Sequence, residues 1–228
     1  MIFVTGDTHG LHDFHKLHIF ACEHPDLTSD DYVIIAGDFG AIWSGSTLAE
    51  NLSYYTNLPF TVLFVDGNHE NFDLIETFPE EMWKGGRVHR IKPNIIHLMR
   101  GQVFEIEGKT FFTFGGATSI DRAFRIEGKS WWWQERATEQ EFDEGIANLK
   151  RYNNEVDYVI THACGMRAIM SPRLRAAAGI KISCPEVQLL SNFENIIKCR
   201  HWYFGHFHMD ERLNDKYTVL YNKVVEIK

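Results

Sequence analysis

Short runs of β-branched and aromatic residues alternate with stretches of helical period along the chain. Ile2–Val4 predicts a buried strand, and Tyr32–Ala36 and Phe60–Val65 predict two more. Between them the apolar positions predict a helix over Leu11–Cys22, with Leu11, Phe14, Leu17 and Ala21 on its apolar face. A second helix is predicted over Thr47–Asn57 and a short one over Glu70–Thr77. The middle of the chain differs. Arg87–Ile91, Ile95–Met99, Gln102–Ile106 and Thr110–Phe114 read as strands separated by tight polar turns such as Glu107-Gly108-Lys109. Thr138 and Glu141 fit a capping box for a helix over Glu139–Tyr152. Ser183 and Glu186 fit a second box, with Pro185 at the first helical position of a helix to about Lys198. Tyr158–Thr161, His201–Phe204, Tyr217–Tyr221 and Val224–Ile227 complete the predicted strands. Strand–helix units at both ends with hairpins between them predict a layered α/β sandwich on two sheets. No repeat, low-complexity tract or Pro/Gly/Ser linker divides the chain, so residues 1–228 read as one domain.

Composition narrows the picture. The 228 residues are 44% hydrophobic and 24% charged, enough to bury a core without disulfides or a structural metal. Cys22, Cys164, Cys184 and Cys199 are widely spaced and form no Cys-x-x-Cys pair, which predicts reduced thiols in a cytoplasmic protein. No apolar run approaches the roughly 18–20 residues needed to span a bilayer. The N-terminus lacks the basic and apolar regions of a signal peptide. Twenty-three Lys and Arg against 31 Asp and Glu give a net charge of -8, which disfavours a broad footprint on long double-stranded nucleic acid. The 12 histidines are an excess that directs attention to metal sites.

Five apolar strands end in ligand-type residues. They run into Gly6-Asp7-Thr8-His9, Gly37-Asp38, Gly67-Asn68-His69-Glu70, Thr161-His162 and Gly205-His206-Phe207-His208. In open α/β sheets the ligand crevice lies beyond the carboxyl ends of the strands, and glycine lets the backbone turn there. Two carboxylates, one amide oxygen and five imidazoles would then converge, enough for two metals sharing a carboxylate. Oxygen and imidazole donors without thiolate suit Mn²⁺, Fe or Zn²⁺, with Ni²⁺ or Co²⁺ also admitted.

In this order the motifs closely resemble those of the calcineurin-like metallophosphoesterase family, over Asp7 to His208. The resemblance implies a four-layer α/β/β/α sandwich of two mixed sheets flanked by helices. It also implies two divalent transition-metal ions. Asp7, His9 and His208 would hold one, Asn68, His162 and His206 the other, and Asp38 would bridge them. His69 would be no ligand, but a general acid or stabiliser facing the substrate. Two such cations bind phosphate oxygens, offset transition-state charge and acidify a bridging water to hydroxide, which attacks phosphorus in line. The activity implied is hydrolysis of a phosphate ester: a small molecule, nucleotide or phosphopeptide. A phosphodiesterase or nuclease acting on nucleotides, and a metal-binding interaction module without turnover, are the alternatives.

The chain also departs from the family. Many members carry a second acid three residues after the bridging one, often followed by Arg and Gly. Here Ala41, Ile42 and Trp43 stand in those places. Asp66 or Glu70 is then a candidate to orient His69. The Gly-rich segment Gly115–Arg125 resembles one in small bacterial and phage-type members, and offers Arg122 and Arg125 to bind substrate phosphate. Trp131, Trp132 and Trp133 predict core packing plus a contact between copies, with a lid over the crevice as the alternative. His12, His15 and His18 read as a solvated helix face, and Arg167, Arg173 and Arg175 as a solvated loop.

Overall fold

A computed structural model describes residues 1–228. Its strands are β1 (Ile2–Thr5), β2 (Tyr32–Ala36), β3 (Thr61–Val65), β4 (Glu80–Trp83), β5 (Gly86–Lys92), β6 (Ile95–Leu98), β7 (Gln102–Ile106), β8 (Lys109–Phe114), β9 (Tyr158–Thr161), β10 (His201–Phe204), β11 (Glu211–Arg212), β12 (Tyr217–Val219) and β13 (Val225–Glu226). The helices are α1 (His15–Glu23), α2 (Leu48–Thr56), α3 (Phe72–Ile75), α4 (Glu139–Arg151), α5 (Met166–Ile169), α6 (Pro172–Ala178) and α7 (Pro185–Ile196). One sheet has the order β13-β1-β2-β3-β6-β5-β4, the other β11-β12-β10-β9-β8-β7. Both are mixed. In the first, β1, β2, β3 and β6 run parallel. In the second, β8, β9, β10 and β12 do.

Side-chain alternation builds the layers. Phe3, Val33, Ile35, Val62 and Phe64 face outward and pack with Leu17 and Phe20 of α1 and Leu52 and Tyr55 of α2. Their neighbours Ile2, Val4, Ile34, Leu63 and Val65 face the other way, onto Phe104, Phe111, Tyr158 and Ile160 of the second sheet. The outer face of that sheet, Phe112, Phe114, Val159 and Trp202, is covered by Leu149 of α4 and Val187, Leu190 and Phe193 of α7. Three apolar cores between four layers make the α/β/β/α sandwich. No helix is long and apolar enough to cross a membrane.

Several local expectations are corrected. The first helix begins at His15, not Leu11. Residues 11–14 instead continue the turn that Gly10 opens at φ +65°, and Asp13 is drawn back to the His9 ring. The Thr138–Glu141 capping box forms, but the Ser183–Glu186 box does not. Glu186 instead accepts from the amide and hydroxyl of Thr118, at 2.8 Å each. Arg167 lies in α5, and Arg173 and Arg175 in α6, rather than in a loop. The polar edge strand β4 was not expected. The cysteines form no disulfide.

A buried polar tie joins the two sheets below the crevice. Asp66 follows β3; its carbonyl accepts from the Gly116 amide beyond β8 at 2.9 Å. Its carboxylate accepts from Arg100 Nε (2.9 Å) and Nη2 (2.5 Å) and lies 3.2 Å from His97 Nε2. His97 in turn stacks on His89, with their Nδ1 atoms 3.0 Å apart. Burial would raise Asp66, but the Arg100 charge and His97 hold it well below its ordinary 3.8. Arg100→Met therefore leaves a buried charge without its guanidinium and should cost about 3–5 kcal/mol in urea unfolding near neutral pH. Because the folded-state value is depressed, this stabilisation is fully present above the ordinary carboxylate range and is lost as pH falls below it through the depressed folded-state value. The gap between the two proteins should narrow in step, as protonation neutralises Asp66.

Candidate metal centre

The carboxyl ends of β1, β2, β3, β9 and β10 deliver Asp7, Asp38, Asn68, His162 and the pair His206 and His208 to one crevice between the sheets. The local backbone is unusual. Eight non-glycine residues have positive φ, and four of them are here: His9 (42°), Asp38 (50°), His206 (67°) and His208 (50°). Such conformations cost on the order of 1–3 kcal/mol each and persist only where the surrounding fold imposes them. Two glycines make the close approach of the loops feasible. A Cβ at Gly37, at φ +91°, would overlap the His162 ring, and one at Gly67 would overlap the Asp38 carboxylate.

One candidate ligand atom from each of Asp7, His9, Asp38 and His208 falls within 4.8 Å of all the others. Asp38 is the hub. Its Oδ2 lies 3.3 Å from His9 Nε2, its Oδ1 lies 3.3 Å from His162 Nε2, and Oδ1 also accepts from the His69 amide at 2.7 Å. Asp7 Oδ1 accepts from the His206 amide at 3.0 Å, and Oδ2 is 3.1 Å from His208 Nε2. Two imidazoles are anchored from behind. His162 Nδ1 donates to the Ala36 carbonyl at 2.9 Å, and His9 Nδ1 donates to Asp13 Oδ2 at 2.8 Å. Each therefore turns Nε2 toward Asp38, the arrangement in which an imidazole can hold a metal.

The electrostatics fit a cation. Burial would lower His9 and His162, yet Asp38 above all raises both to about 9. Burial would raise Asp38, and His162 and His9 hold it well below the usual carboxylate range instead. His206 is pushed down by burial and by His162, whose Nε2 is 3.2 Å from its Nδ1. In the whole chain five buried side-chain polar atoms lack a hydrogen-bond partner, and three of them are Asp7 Oδ2, Asn68 Oδ1 and His206 Nε2. Buried polar atoms are normally satisfied, so this concentration needs a partner from outside the chain. The Asp7 Oδ2 contact with His208 lacks hydrogen-bond geometry and does not supply one. The donor set suits divalent transition metals.

Neither Asp66 nor Glu70 orients His69. Asp66 is committed to Arg100 and His97, and Glu70 accepts from the amides of Phe39 (2.7 Å) and Gly40 (3.0 Å), bracing the Asp38 loop. The partner of His69 is Arg125, whose Nη1 is 3.4 Å from Nδ1. Arg125 is itself held by Asp121 and by the Ser130 carbonyl. Arg122 sits apart, 3.8 Å from Glu135 and over the Trp131 and Trp133 rings. Trp131 and Trp132 are buried and Trp133 is exposed.

Four partners escaped the sequence reading, Asp13 behind His9 among them. Buried Ser119 accepts from Asn68 Nδ2 (3.2 Å) and donates to Glu135 Oε2 (2.7 Å), which turns Asn68 Oδ1 toward the crevice. Tyr221 stacks on His208 and donates to Asp13 (3.1 Å). Lys16 donates to the carbonyls of Gly6 (3.1 Å), Asp7 (2.5 Å) and Tyr221. Only Asp13, four residues after His9, had a local signal.

Residues 1–210 match the sequence model of the calcineurin-like phosphoesterases, and the chain belongs to that family. The chemistry named by that family's description is phosphoester hydrolysis. No curated protein sequence matches the chain. Among solved structures it is similar to a provisionally named 5′-nucleotidase from Staphylococcus aureus, at 16% identity and TM-score 0.50, over 96% of this chain and 48% of that one. The chain thus spans about half the length of that relative, and the likeness is one of fold. It also matches phosphopantetheinyl hydrolase from Mycobacterium tuberculosis at 16% identity and TM-score 0.43, over 96% of this chain and 87% of that one.

Ser119→Ala should leave the fold intact but free the Asn68 amide. Metal titrated into chelator-stripped protein should then bind about ten- to a hundredfold more weakly. Unchanged affinity would mean that Ser119 does not set the amide.

Proposed function

We propose that residues 1–228 form one calcineurin-like domain that hydrolyses a phosphate ester of a small molecule, nucleotide or phosphopeptide at a dinuclear centre, with Mn²⁺ the first candidate. Asp7, His9 and His208 would hold one ion, Asn68, His162 and His206 the other, and Asp38 both. The observation that carries this is the gathering of the four-residue cluster with three of the chain's five orphaned buried polar atoms. Bound there, divalent cations would neutralise phosphate charge and acidify water.

The chain's own residues supply the rest. Asp38 serves the centre and also fixes the backbone of His69 through its amide. The His69 ring stands beside His9, with ring centroids 5.4 Å apart. Burial, and the nearby Arg125 charge against the pull of Asp38, leave His69 below its ordinary 6.5. A guanidinium only donates, so His69 Nδ1 must accept and the ring proton resides on Nε2. That N–H can hydrogen-bond the leaving oxygen and pass its proton as the ester bond breaks. Arg125 therefore acts on substrate through His69 and through its charge, while Arg122 has no corresponding contact.

The test is turnover of p-nitrophenyl phosphate and its bis-ester by stripped protein with Mn²⁺ or Zn²⁺ restored. Activity should return only with metal. His69→Ala should lower kcat by about 10²–10⁴ with metal content unchanged. Asp38→Ala should lose both metal and activity. Metal-loaded protein inert toward both esters would replace this reading with that of a metal-binding interaction module.

A further inference from the structure

A cleft of about 480 Å³ opens beside the candidate centre, with His9 and His69 on one side and Trp43, Thr47, Asn51 and His12 on the others. Trp43 is preset. Its carbonyl accepts from Asn71 Nδ2 at 2.8 Å. Its ring meets buried Trp132 edge to face, at 5.5 Å and 86°, and Trp132 is fixed by donating Nε1–H to Asp73 at 2.8 Å. The polar groups of the cleft are spare. Asn51 Nδ2 makes only long contacts of 3.4 Å, to the Ala41 carbonyl and to Thr47 Oγ1. Neither Asn51 Oδ1 nor the His12 ring has a partner within the chain. In a protein of net charge -8, no carboxylate lines the cleft.

With His69 facing the leaving oxygen, as proposed above, the leaving group extends toward the cleft that His69 lines. A rigid indole wall suits a flat ring, and the uncommitted amide, hydroxyl and imidazole suit a ring with hydrogen-bonding edges. An aliphatic alcohol would leave Trp43 unused, and a phenol would make no use of Asn51 and Thr47. We propose that the cleft binds the nucleobase of a nucleoside phosphate, stacked on Trp43, with the nucleoside as leaving group. This rests on the phosphohydrolase reading above. The phosphorus–oxygen bond to the nucleoside breaks, the oxygen of water joins phosphorus, and His69 protonates the nucleoside oxygen. The proton released by water restores His69, so the products are nucleoside and inorganic phosphate.

The experiment compares nucleoside 5′-monophosphates with ribose 5-phosphate and phenyl phosphate on Mn²⁺-loaded protein. Alongside it, nucleosides and ribose are titrated calorimetrically, where no hydrolysis can occur. Stacking and edge contacts should raise kcat/KM for the nucleotides roughly ten- to a hundredfold over ribose 5-phosphate. Trp43→Ala should erase that gain while ribose 5-phosphate turnover persists, which also shows the variant is folded; Trp43→Phe should keep most of it. Nucleotides and ribose 5-phosphate cleaved alike would overturn the proposal. Phenyl phosphate cleaved as well as the nucleotides would overturn the base and leave only a flat-ring site. Trp43-dependent nucleoside binding without hydrolysis of any ester would keep the cleft as a nucleobase site and remove the phosphohydrolase reading instead.

Discussion

Two carboxylates buried at the junction of two sheets are the constraint from which the rest of the molecule follows. Asp7 and Asp38 are almost fully removed from solvent, and like charges in such a place require positive charge or protonation. Within the chain the answer is protons on imidazole: His9 and His162 are both raised to about 9 by these acids. Divalent cations are the other answer, and they would also satisfy the three orphaned atoms, which protons on imidazole do not. The positive-φ backbone at His9, Asp38, His206 and His208 is tolerable because three apolar cores hold the strand ends that carry these residues.

The parallel strands explain why the crevice lies where it does. β1, β2 and β3 in one sheet and β9 and β10 in the other end on the same side, so short loops carry side chains from both sheets to one point. Those loops are braced by buried polar groups rather than by packing. Glu70 takes the amides of the Asp38 loop, and Lys16 takes the carbonyls of Gly6 and Asp7. Lys16 also takes the carbonyl of Tyr221, which joins the first strand's loop to the C-terminal part of the chain. Burial costs Lys16 part of its basicity, down to about 8, with the Asp7 charge opposing that loss. Each brace acts on backbone, so it constrains where a ligand side chain starts rather than where it ends.

What was legible in the sequence was local. An apolar run followed by Gly-Asp or Gly-Asn-His declares both the strand and the crevice residue, because both signals lie within a few positions. The layered architecture followed from the same runs. The partners that orient the crevice residues were not legible, since Ser119 and Tyr221 reach Asn68 and Asp13 from 51 and 208 residues away. Local rules failed where a tertiary partner competed. Glu186 had the spacing of a capping residue but bonds Thr118 instead. Asp13 falls within the helix that the apolar pattern predicts, but His9 and Tyr221 claim its carboxylate and the helix starts at His15. The polar strand β4 survives only as an edge, where exposed Glu80, Glu81 and Met82 cost little.

The contact between Arg125 and His69 carries a further consequence for the chemistry of the crevice. A carboxylate behind an imidazole accepts its Nδ1–H and favours the imidazolium; a guanidinium does the reverse. With Arg125 at Nδ1, the ring is a neutral donor and the positive charge sits one group further back, on a residue tied to Asp121. The arrangement keeps a donor facing the crevice without adding a further full positive charge next to Asp38 and its imidazoles. It also means that the segment running from Thr118 to Arg125 serves both halves of the site at once. Ser119 turns the Asn68 amide at one end, and Arg125 sets the His69 tautomer at the other. Glu135 and Glu186 hold the Thr118–Ser119 end of that segment and so act on Asn68, whereas Asp121 and the Ser130 carbonyl hold Arg125 and so act on His69.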